Sequence, residues 1–314
     1  MKNTITVDLE DYYQVSAFND AGTPTNWSNF SSRIENNTAK LLSIFDEHSS
    51  KATFFTLGWV AEKFPKLIRE IADRGHEIAC HSYNHRSVFS LSPEEFREDT
   101  RKAKRILEDL AGMPVFGYRA PSFSIKTNSP WAFEILTELD FKYDSSVFPI
   151  RHANYGWPLA PRFPFSIKTP SGAITEFPMP TVQWRGARAP IGGGAYLRLL
   201  PYWFTRWGIR HMNDSEGLAA CLYLHPWELD WEQPRQSGSP SARLRHYFGL
   251  KGAELKFRRL LADFEVQPMI VLWHELHRDS PRVPQMLLSE LGSGNGLKES
   301  NNTRKPSAEF PGKS

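Results

Sequence analysis

Cysteine is scarce in this sequence: only Cys80 and Cys221 occur among its 314 residues. Two cysteines cannot build the disulfide framework that stabilises many small secreted domains, and such scarcity is typical of a reducing compartment. Both cysteines fall in segments predicted to be strands, where a thiol behaves as a small core residue. We therefore expect neither a disulfide nor a redox role.

Long apolar runs and an excess of one charge are also missing. No stretch of 18 apolar residues occurs, and Asp8 interrupts the N-terminal segment where a signal peptide would need its apolar region. The 38 basic and 35 acidic residues give a formal charge of +3, which is typical of a globular protein and indicates no polyanionic partner. These absences predict a cytoplasmic protein without a signal peptide, a transmembrane segment or a nucleic-acid partner.

Aromatic residues, in contrast, are abundant, with 10 Trp, 10 Tyr and 21 Phe. They can fill a large core or line a ligand cleft, and the pattern leaves both open. Because barrels of alternating strands and helices run to about 250 residues as one unit, we predict a single domain over residues 1–290. We further expect an insertion at about 184–215, a C-terminal helical extension, and a disordered tail over 291–314.

Short apolar strands alternate with amphipathic helices along the chain. Residues 4–7 are β-branched and predict a strand, and a helix over 41–45 and a strand over 52–58 follow. Ser92 and Glu95 form a capping-box pattern at the start of a helix that should end at Gly112. Further strands are predicted at 76–80, 115–118, 141–143, 174–178 and 218–224. This alternation favours an α/β fold, a deformed (β/α) TIM-like barrel of about seven strands.

Polar residues that can carry chemistry follow the predicted strands. Each of five residues stands at the C-terminal end of a different strand: Asp8, His81, Arg119, Asp144 and His225. In a (β/α) barrel these ends meet on one face, and active sites lie on that face. The sequence therefore predicts one site assembled from five loops.

A metal is the simplest ligand for part of this site. His81 and His85 are spaced i, i+4, so that both imidazoles can bind one ion from a single turn of chain. A catalytic zinc needs a third protein ligand, and Glu10 and Asp11 lie in an acidic cluster that begins at Asp8. A bound cation or an arginine would offset the repulsion among these carboxylates, although a solvated turn is the alternative interpretation of the cluster.

The order of these segments resembles the NodB-homology polysaccharide deacetylases, the family-4 carbohydrate esterases, over residues 4–272. Five motifs carry the resemblance: residues 6–11, 81–85 and 119–121, then Asp144, then Leu224 with His225. It implies the deformed barrel of that family and a divalent metal, with Zn²⁺ favoured. Phrases at residues 7–13, 192–201 and 225–230 further resemble the subgroup associated with exosortase-linked exopolysaccharide loci, which implies a role in exopolysaccharide biosynthesis.

The resemblance also implies roles for the catalytic residues. Asp8 would be the catalytic base and His225 the catalytic acid. Arg119 would pair with Asp8, and Asp144 would pair with His225.

His81 and His85 would bind the metal. In the common family pattern the metal-binding aspartate directly follows the base, where this chain has Leu9. The third ligand is then either Glu10, by strand alternation, or Asp11, by a bulge, and we favour Asp11 because aspartate is the family's residue.

Contacts to the substrate are implied at four further positions. The backbone N–H of Ser122, after Pro121, would stabilise the oxyanion. Leu224 would contact the acetyl methyl group. Phe148 stands where many family members have a tryptophan, which keeps that wall of the pocket aromatic.

We therefore expect a metal-dependent deacetylase that hydrolyses the N-acetyl group of amino-sugar units in a polysaccharide or its precursor. Two alternatives stay open. A hydrolase of small cyclic or linear amides would have a deep, closed pocket. A catalytically inactive, carbohydrate-binding relative would lack the third metal ligand, so neither Glu10 nor Asp11 would reach the metal.

Overall fold

The computed structural model describes residues 1–15, 18, 24–152, 155–184, 187–278 and 283–288. The tail predicted to be disordered, 291–314, lies outside the described residues. The strands in chain order are β1 (Asn3–Leu9), β2 (Thr53–Thr56), β3 (Glu77–Cys80), β4 (Gly117–Tyr118), β5 (Tyr143–Asp144), β6 (Phe165–Thr169), β7 (Gly172–Glu176), β8 (Thr181–Trp184), β9 (Ala187–Pro190), β10 (Cys221–Leu224), β11 (Val266–Gln267) and β12 (Gln285–Leu287).

The α-helices are α1 (Ile34–Glu47), α2 (Gly58–Lys63), α3 (Pro65–Asp73), α4 (Pro93–Ala111), α5 (Trp131–Glu138), α6 (Ala195–Leu199), α7 (Tyr202–Arg210), α8 (Pro240–Tyr247), α9 (Leu250–Asp263) and α10 (Met269–His277). No helix among the residues with described coordinates is long and apolar enough to cross a bilayer.

One sheet organises the molecule. Its hydrogen-bonded order is β10-β1-β2-β3-β4-β5-β7-β6-β12, and β11 also pairs with β1. The seven strands from β10 to β7 are all parallel, whereas β6 is antiparallel to β7. The predicted α/β fold with about seven barrel strands is confirmed.

Strand alternation separates two apolar regions. On β1, Ile5, Val7 and Leu9 belong to the large core between the sheet and its helices. A smaller cluster lies inside the curved sheet, where Phe55 and Cys221 meet side chains of α10. Successive strand residues point to opposite faces. Thr6 and Asp8 therefore face the interior, and the strand delivers Asp8 to the site.

Helix α10 closes the end of the sheet opposite the site. The first backbone N–H groups of a helix lack partners within it and need acceptors. The N–H of Met269 donates to Thr53 Oγ1 (2.7 Å), and that of Ile270 donates to Glu77 Oε2 (3.0 Å).

Helix α4 agrees with its prediction in detail. Ser92 Oγ accepts the N–H of Glu95, and the Glu95 carboxylate accepts the N–H of Ser92, which completes the capping box. Gly112 ends the helix in the left-handed region at φ +66°. Such a conformation costs glycine little, because it has no Cβ.

The segment 184–215, predicted to be an insertion, contains regular structure. It includes β9 and the helices α6 and α7, and β9 pairs with β8 in a hairpin. Gly193 and Gly194 have positive φ, and a Cβ at either would lie within 3 Å of the Tyr223 ring. The Gly194 N–H donates to the Tyr223 carbonyl oxygen (2.9 Å). The glycines therefore let this segment pack directly on β10.

A buried histidine in the fold makes stability depend on pH. His76 Nδ1 accepts the N–H of Ala52 (3.1 Å), and its ring packs against Phe45 and Phe54. Burial lowers the pKa of His76 to about 4, from an unfolded value near 6.5. Between pH 4 and pH 6.5 the unfolded chain binds more protons at His76 than the folded protein does. The stability that the neutral, buried His76 ring contributes is therefore complete above pH 6.5 and is lost as the pH falls toward 4.

We predict that His76→Asn, whose Oδ1 can still accept the Ala52 N–H, weakens the pH dependence of unfolding. Between pH 7.5 and 4.5 the parent should lose about 2 kcal/mol more unfolding free energy than the variant, measured by denaturant titration. Exposed His274→Asn is the control and should keep the parental slope. Equal slopes for parent and His76→Asn would contradict this assignment.

Candidate metal and catalytic site

The predicted site residues gather where β1, β3 and β10 end. Asp8 is near the end of β1, His81 directly follows β3, and His225 directly follows β10. They line a cavity of about 400 Å³, whose lining also includes aromatic side chains from four loops and from β10. Register brings these ends together, because Val7 is paired with Leu224 on one side and with Phe54 on the other.

Three side chains converge as a candidate metal group. Ligand atoms of Glu10, His81 and His85 all lie within 4.8 Å of one another, and His81 Nδ1 lies 2.8 Å from the carbonyl oxygen of Arg119. A histidine whose Nδ1–H donates to a carbonyl presents Nε2 to a metal. His85 Nε2 is 3.0 Å from Glu10 Oε2, yet this buried oxygen receives no hydrogen bond within the described residues. His85 Nε2 and Glu10 Oε2 are thus close together without a hydrogen bond between them, an arrangement that fits two ligands of one cation.

The charge states of these ligands suit a cation. Burial alone would raise the pKa of Glu10, but the nearby imidazoles of His85 and His225 lower it to about 2. Burial lowers the pKa of His81 to about 4. Glu10 is therefore anionic and His81 neutral near pH 7, the forms in which both side chains bind metals.

The backbone at the site is locally strained. Ser82 and His85 have φ of +65° and +54°, and Ser122 and Phe123 have φ of +55° and +51°. Non-glycine residues rarely adopt this region, and such conformations cluster at functional sites. Ser82 Oγ accepts the N–H of His85 (3.1 Å), which stabilises the turn that returns His85 toward His81.

Asp8 is held by a buried arginine. Arg119 Nη1 donates to Asp8 Oδ1 (2.6 Å) and Thr6 Oγ1 (2.7 Å), and two other guanidinium nitrogens donate to the carbonyl and hydroxyl oxygens of Ser145. Arg119 is completely buried, and its guanidinium carbon lies 4.1 Å from the centre of the Phe55 ring. The second oxygen, Asp8 Oδ2, lies 3.9 Å from His225 Nε2.

His225 bridges the acidic centre and a second ion pair. Its Nε2 is 3.3 Å from Glu10 Oε1, and its Nδ1 is 2.6 Å from Glu228 Oε1. Arg198 Nε donates to the other oxygen of Glu228 (2.7 Å). Burial alone would lower the pKa of His225, but Glu10, Glu228 and Asp8 together raise it to about 9. The imidazole is therefore protonated at neutral pH.

Two expectations drawn from the family resemblance need correction. The Asp11 carboxylate accepts hydrogen bonds from Ser32 Oγ (2.7 Å) and the N–H of Arg33 (2.9 Å) and lies outside the metal group, so the preference for Asp11 over Glu10 does not hold. Asp144 does not pair with His225. Its carboxylate instead accepts the hydroxyl and the N–H of Ser146.

Of the four residues predicted to contact the substrate, only some line the cavity. Ser122 lines the cavity, whereas Pro121 is buried beneath it. Leu224 faces the outer core and its neighbour Tyr223 faces the cavity, so the expectation that the Leu224 side chain contacts the acetyl methyl group does not fit its position. Phe148 lies in an aromatic cluster with Phe123, Tyr155, Tyr196 and Tyr223, beside the cavity but outside its lining.

Glu228 is the main residue that sequence reasoning missed. The sequence carried part of a signal for it, because Pro226 and Glu228 stand where a capped helical turn after His225 would have its N1 proline and N3 acid. In the structure, Glu228 Oε1 accepts the backbone N–H of His225 (3.1 Å), which is the contact that an N3 acid makes in a capping box. Arg198 carried no comparable signal, since its segment showed no clear period.

Parts of the chain are similar to known proteins and protein families. The family model described as "Polysaccharide deacetylase" matches residues 18–143, and one described as "Domain of unknown function (DUF3473)" matches 145–274. A peptidoglycan-N-acetylglucosamine deacetylase of Bacillus cereus is 40% identical over 98 residues, 31% of this chain and 36% of that protein. A chitooligosaccharide deacetylase of Azorhizobium caulinodans is 33% identical over 85 residues, 27% and 40% of the two chains.

The chain thus spans little more than a third of the length of the curated relatives it matches. A structure described as a polysaccharide deacetylase from Mycobacterium smegmatis covers 91% of this chain and 94% of its own, with a TM-score of 0.57 at 22% identity, so the fold is shared. Residues 18–143 of the chain thus carry a polysaccharide deacetylase domain of the NodB-homology type, that of the family-4 carbohydrate esterases.

Proposed function

We propose that the protein is a metal-dependent deacetylase that hydrolyses N-acetyl groups of amino-sugar units in a polysaccharide or its precursor. The observation that carries the proposal is the convergence of Glu10, His81 and His85 beside Asp8 and His225 in one cavity. The third ligand, Glu10, argues against an inactive relative. The cavity opens past exposed Phe89, which favours a segment of a sugar chain over a small enclosed amide.

The residues of the metal group fit a divalent cation, and two imidazoles with one carboxylate favour Zn²⁺. When bound, such a cation supplies Lewis acidity that polarises a carbonyl and acidifies water. The role of the protein is then to hold the acetamido group and to move two protons.

Asp8 is suited to accept the first proton. Its Oδ1 is occupied by Arg119, which leaves Oδ2 toward the cavity and fixes the plane of the carboxylate. We propose that Asp8 accepts the proton of the attacking water as that water adds to the acetyl carbon. Arg119 thereby orients the base.

His225 is suited to deliver the second proton. Its Nδ1–H donates to Glu228, so the proton on Nε2 is directed into the cavity toward the departing amine. Arg198 fixes Glu228 in turn, and the ring stacks on Trp227 with centroids 4.9 Å apart. In this chain Glu228 would take the positioning role that the family resemblance assigns to Asp144.

The acetyl group and the sugar need apolar walls. Tyr223 and Phe123 line the cavity with ring centroids 5.0 Å apart, and Gly193 and Gly194 hold the Tyr223 ring from behind. Aromatic faces are suited to the apolar surface of a sugar or methyl group. The names of the matched relatives favour N-acetylglucosamine as the sugar.

The metal group predicts a difference between two adjacent acids. Glu10→Gln should lose most bound metal, because a neutral amide is a poor ligand for Zn²⁺, whereas Asp11→Asn should retain about one equivalent. Metal content after dialysis, measured by mass spectrometry, distinguishes them, and circular dichroism checks that both variants fold. Loss of metal from Asp11→Asn alone would reassign the ligand.

The proposed reaction predicts acetate release by the parent protein from fully N-acetylated chitotetraose, the neutral tetramer of N-acetylglucosamine. Asp8→Asn should lower kcat by roughly 10²–10⁴-fold, because the general base is removed while the metal ligands stay in place. Exposed Asp73→Asn is the control and should match the parent. Metal-loaded parent protein that releases no acetate from any N-acetylated oligosaccharide would refute the proposed function.

Glu228 should act through His225 and not through the substrate. We predict that Glu228→Gln lowers kcat by about 10–100-fold and leaves KM within about twofold, because the acid loses its orientation while the sugar contacts remain. Glu228→Asp, which keeps the charge but shortens the side chain, should recover part of kcat. A change confined to KM, or a loss of thermal stability that accounts for the lost activity, would contradict the positioning role.

A further inference from the structure

Charge is distributed unevenly along the chain. Residues 1–144 contain 17 basic and 21 acidic residues, whereas 145–274 contain 15 basic and 9 acidic residues. The segment 233–253 contains Arg235, Arg243, Arg245 and Lys251 and no acidic residue. Helix α8 lies in this segment and contributes to the wall of the cavity.

Arg245 of α8 lines that cavity and is exposed to solvent. Its side chain makes no hydrogen bond or ion pair with any residue for which the structure gives a position. The other arginine of the lining, Arg198, is buried and committed to Glu228. The two acids of the lining already have partners, because Asp8 forms an ion pair with Arg119 and Glu10 lies beside the imidazole of His85. Among the residues that the structure describes, none therefore compensates the positive charge of Arg245 at the cavity.

A second cation lies near the same cavity. Lys126 Nζ stands 5.0 Å from the centre of the Phe89 ring, and Phe89 lines the cavity while 54% exposed. Burial, then Arg245 and Lys126, lower the pKa of His152, so both cations act on one imidazole beside the cavity. The rim on this side is therefore electropositive.

We propose that Arg245 forms an anion subsite that recognises a carboxylate or phosphate group carried by the substrate next to the reacting N-acetyl sugar. This inference rests on the proposed function for its reaction, but binding alone can test it. Arginine suits such groups, because its planar guanidinium donates two parallel hydrogen bonds to two oxygens of one anion. The preferred substrate is then an acidic saccharide and not a neutral chitin-like chain.

Two sources can supply the anion. A polymer with alternating uronic acid units carries a carboxylate one sugar away from each acetamido group. A precursor linked through a phosphoester carries its charge at the reducing end. Both present the same chemistry to Arg245, and the choice of ligand separates them.

The test compares Arg245→Gln with Arg243→Gln. Arg243 lies on the same helix but outside the lining, and two residues along a helix point in different directions. The ligands are chitotetraose, a tetrasaccharide of alternating glucuronic acid and N-acetylglucosamine, and a nucleoside diphosphate N-acetylglucosamine. For each, Kd is measured by calorimetry on the metal-loaded protein, and kcat/KM by acetate release.

We expect the parent protein to bind at least one charged ligand about tenfold more tightly than chitotetraose, as a charge-assisted hydrogen bond in a partly enclosed site allows. Arg245→Gln should bring this ratio close to one, and Arg243→Gln should preserve it. Raising NaCl from 50 to 500 mM should reduce the ratio in the parent. Preference for the uronic acid tetrasaccharide would identify a polymer, and preference for the diphosphate sugar a precursor.

Equal affinity of the parent for neutral and charged ligands, or a preference that Arg245→Gln leaves intact, would overturn the subsite even if acetate is released from all three. An affinity ratio that depends on Arg245, without acetate release from any ligand, would support the subsite and refute the proposed reaction. The two ideas therefore fail separately.

Discussion

The buried guanidinium of Arg119 is the interaction on which the site depends. The guanidinium donates hydrogen bonds to Asp8 and Thr6 of β1 and to Ser145 after β5. The backbone carbonyl oxygen of Arg119 contacts the ring of His81, which follows β3. One side chain thus fixes the base, and its backbone fixes the orientation of a metal-binding imidazole. Removing it would leave Asp8 as an unpaired buried carboxylate, which is among the most costly defects in a protein interior.

Two buried acids at the site, Asp8 and Glu228, are each matched with a cation. Asp8 has Arg119, and Glu228 is shared between Arg198 and His225. Glu10 has only imidazoles nearby, and its Oε2 has no hydrogen-bond donor among the described residues. Since burying an ionised carboxylate is costly unless it is paired or binds a metal, Glu10 is where a cation stabilises this site most. Within the described part of the chain, the same pairing leaves Arg245 as a charge of the cavity lining without an ionic partner.

Much of this could be predicted from sequence, and the limits have physical causes. The caps of α4 and the residues at the strand ends depend on local patterns, and these predictions agree with the structure. The choice between Glu10 and Asp11 depended on whether β1 contains a bulge. The strand pairs regularly through Leu9, so Thr6, Asp8 and Glu10 continue on one face. The family resemblance assigned Asp144 as the partner of His225, whereas the partner is Glu228, three residues along the chain.

Asp144 shows how a motif residue can keep its position while changing its contacts. Its carboxylate accepts the hydroxyl of Ser146, and Ser146 Oγ accepts the N–H of Ala120, which directly follows Arg119. Glu176 lies beside Asp144, and burial together with that neighbour raises the pKa of Glu176 well above its usual range. A protonated Glu176 can donate to Asp144, which lets two carboxyl groups share a dry site. Asp144 therefore supports the loop that carries Arg119, so that its effect on catalysis would pass through the base and not through the acid.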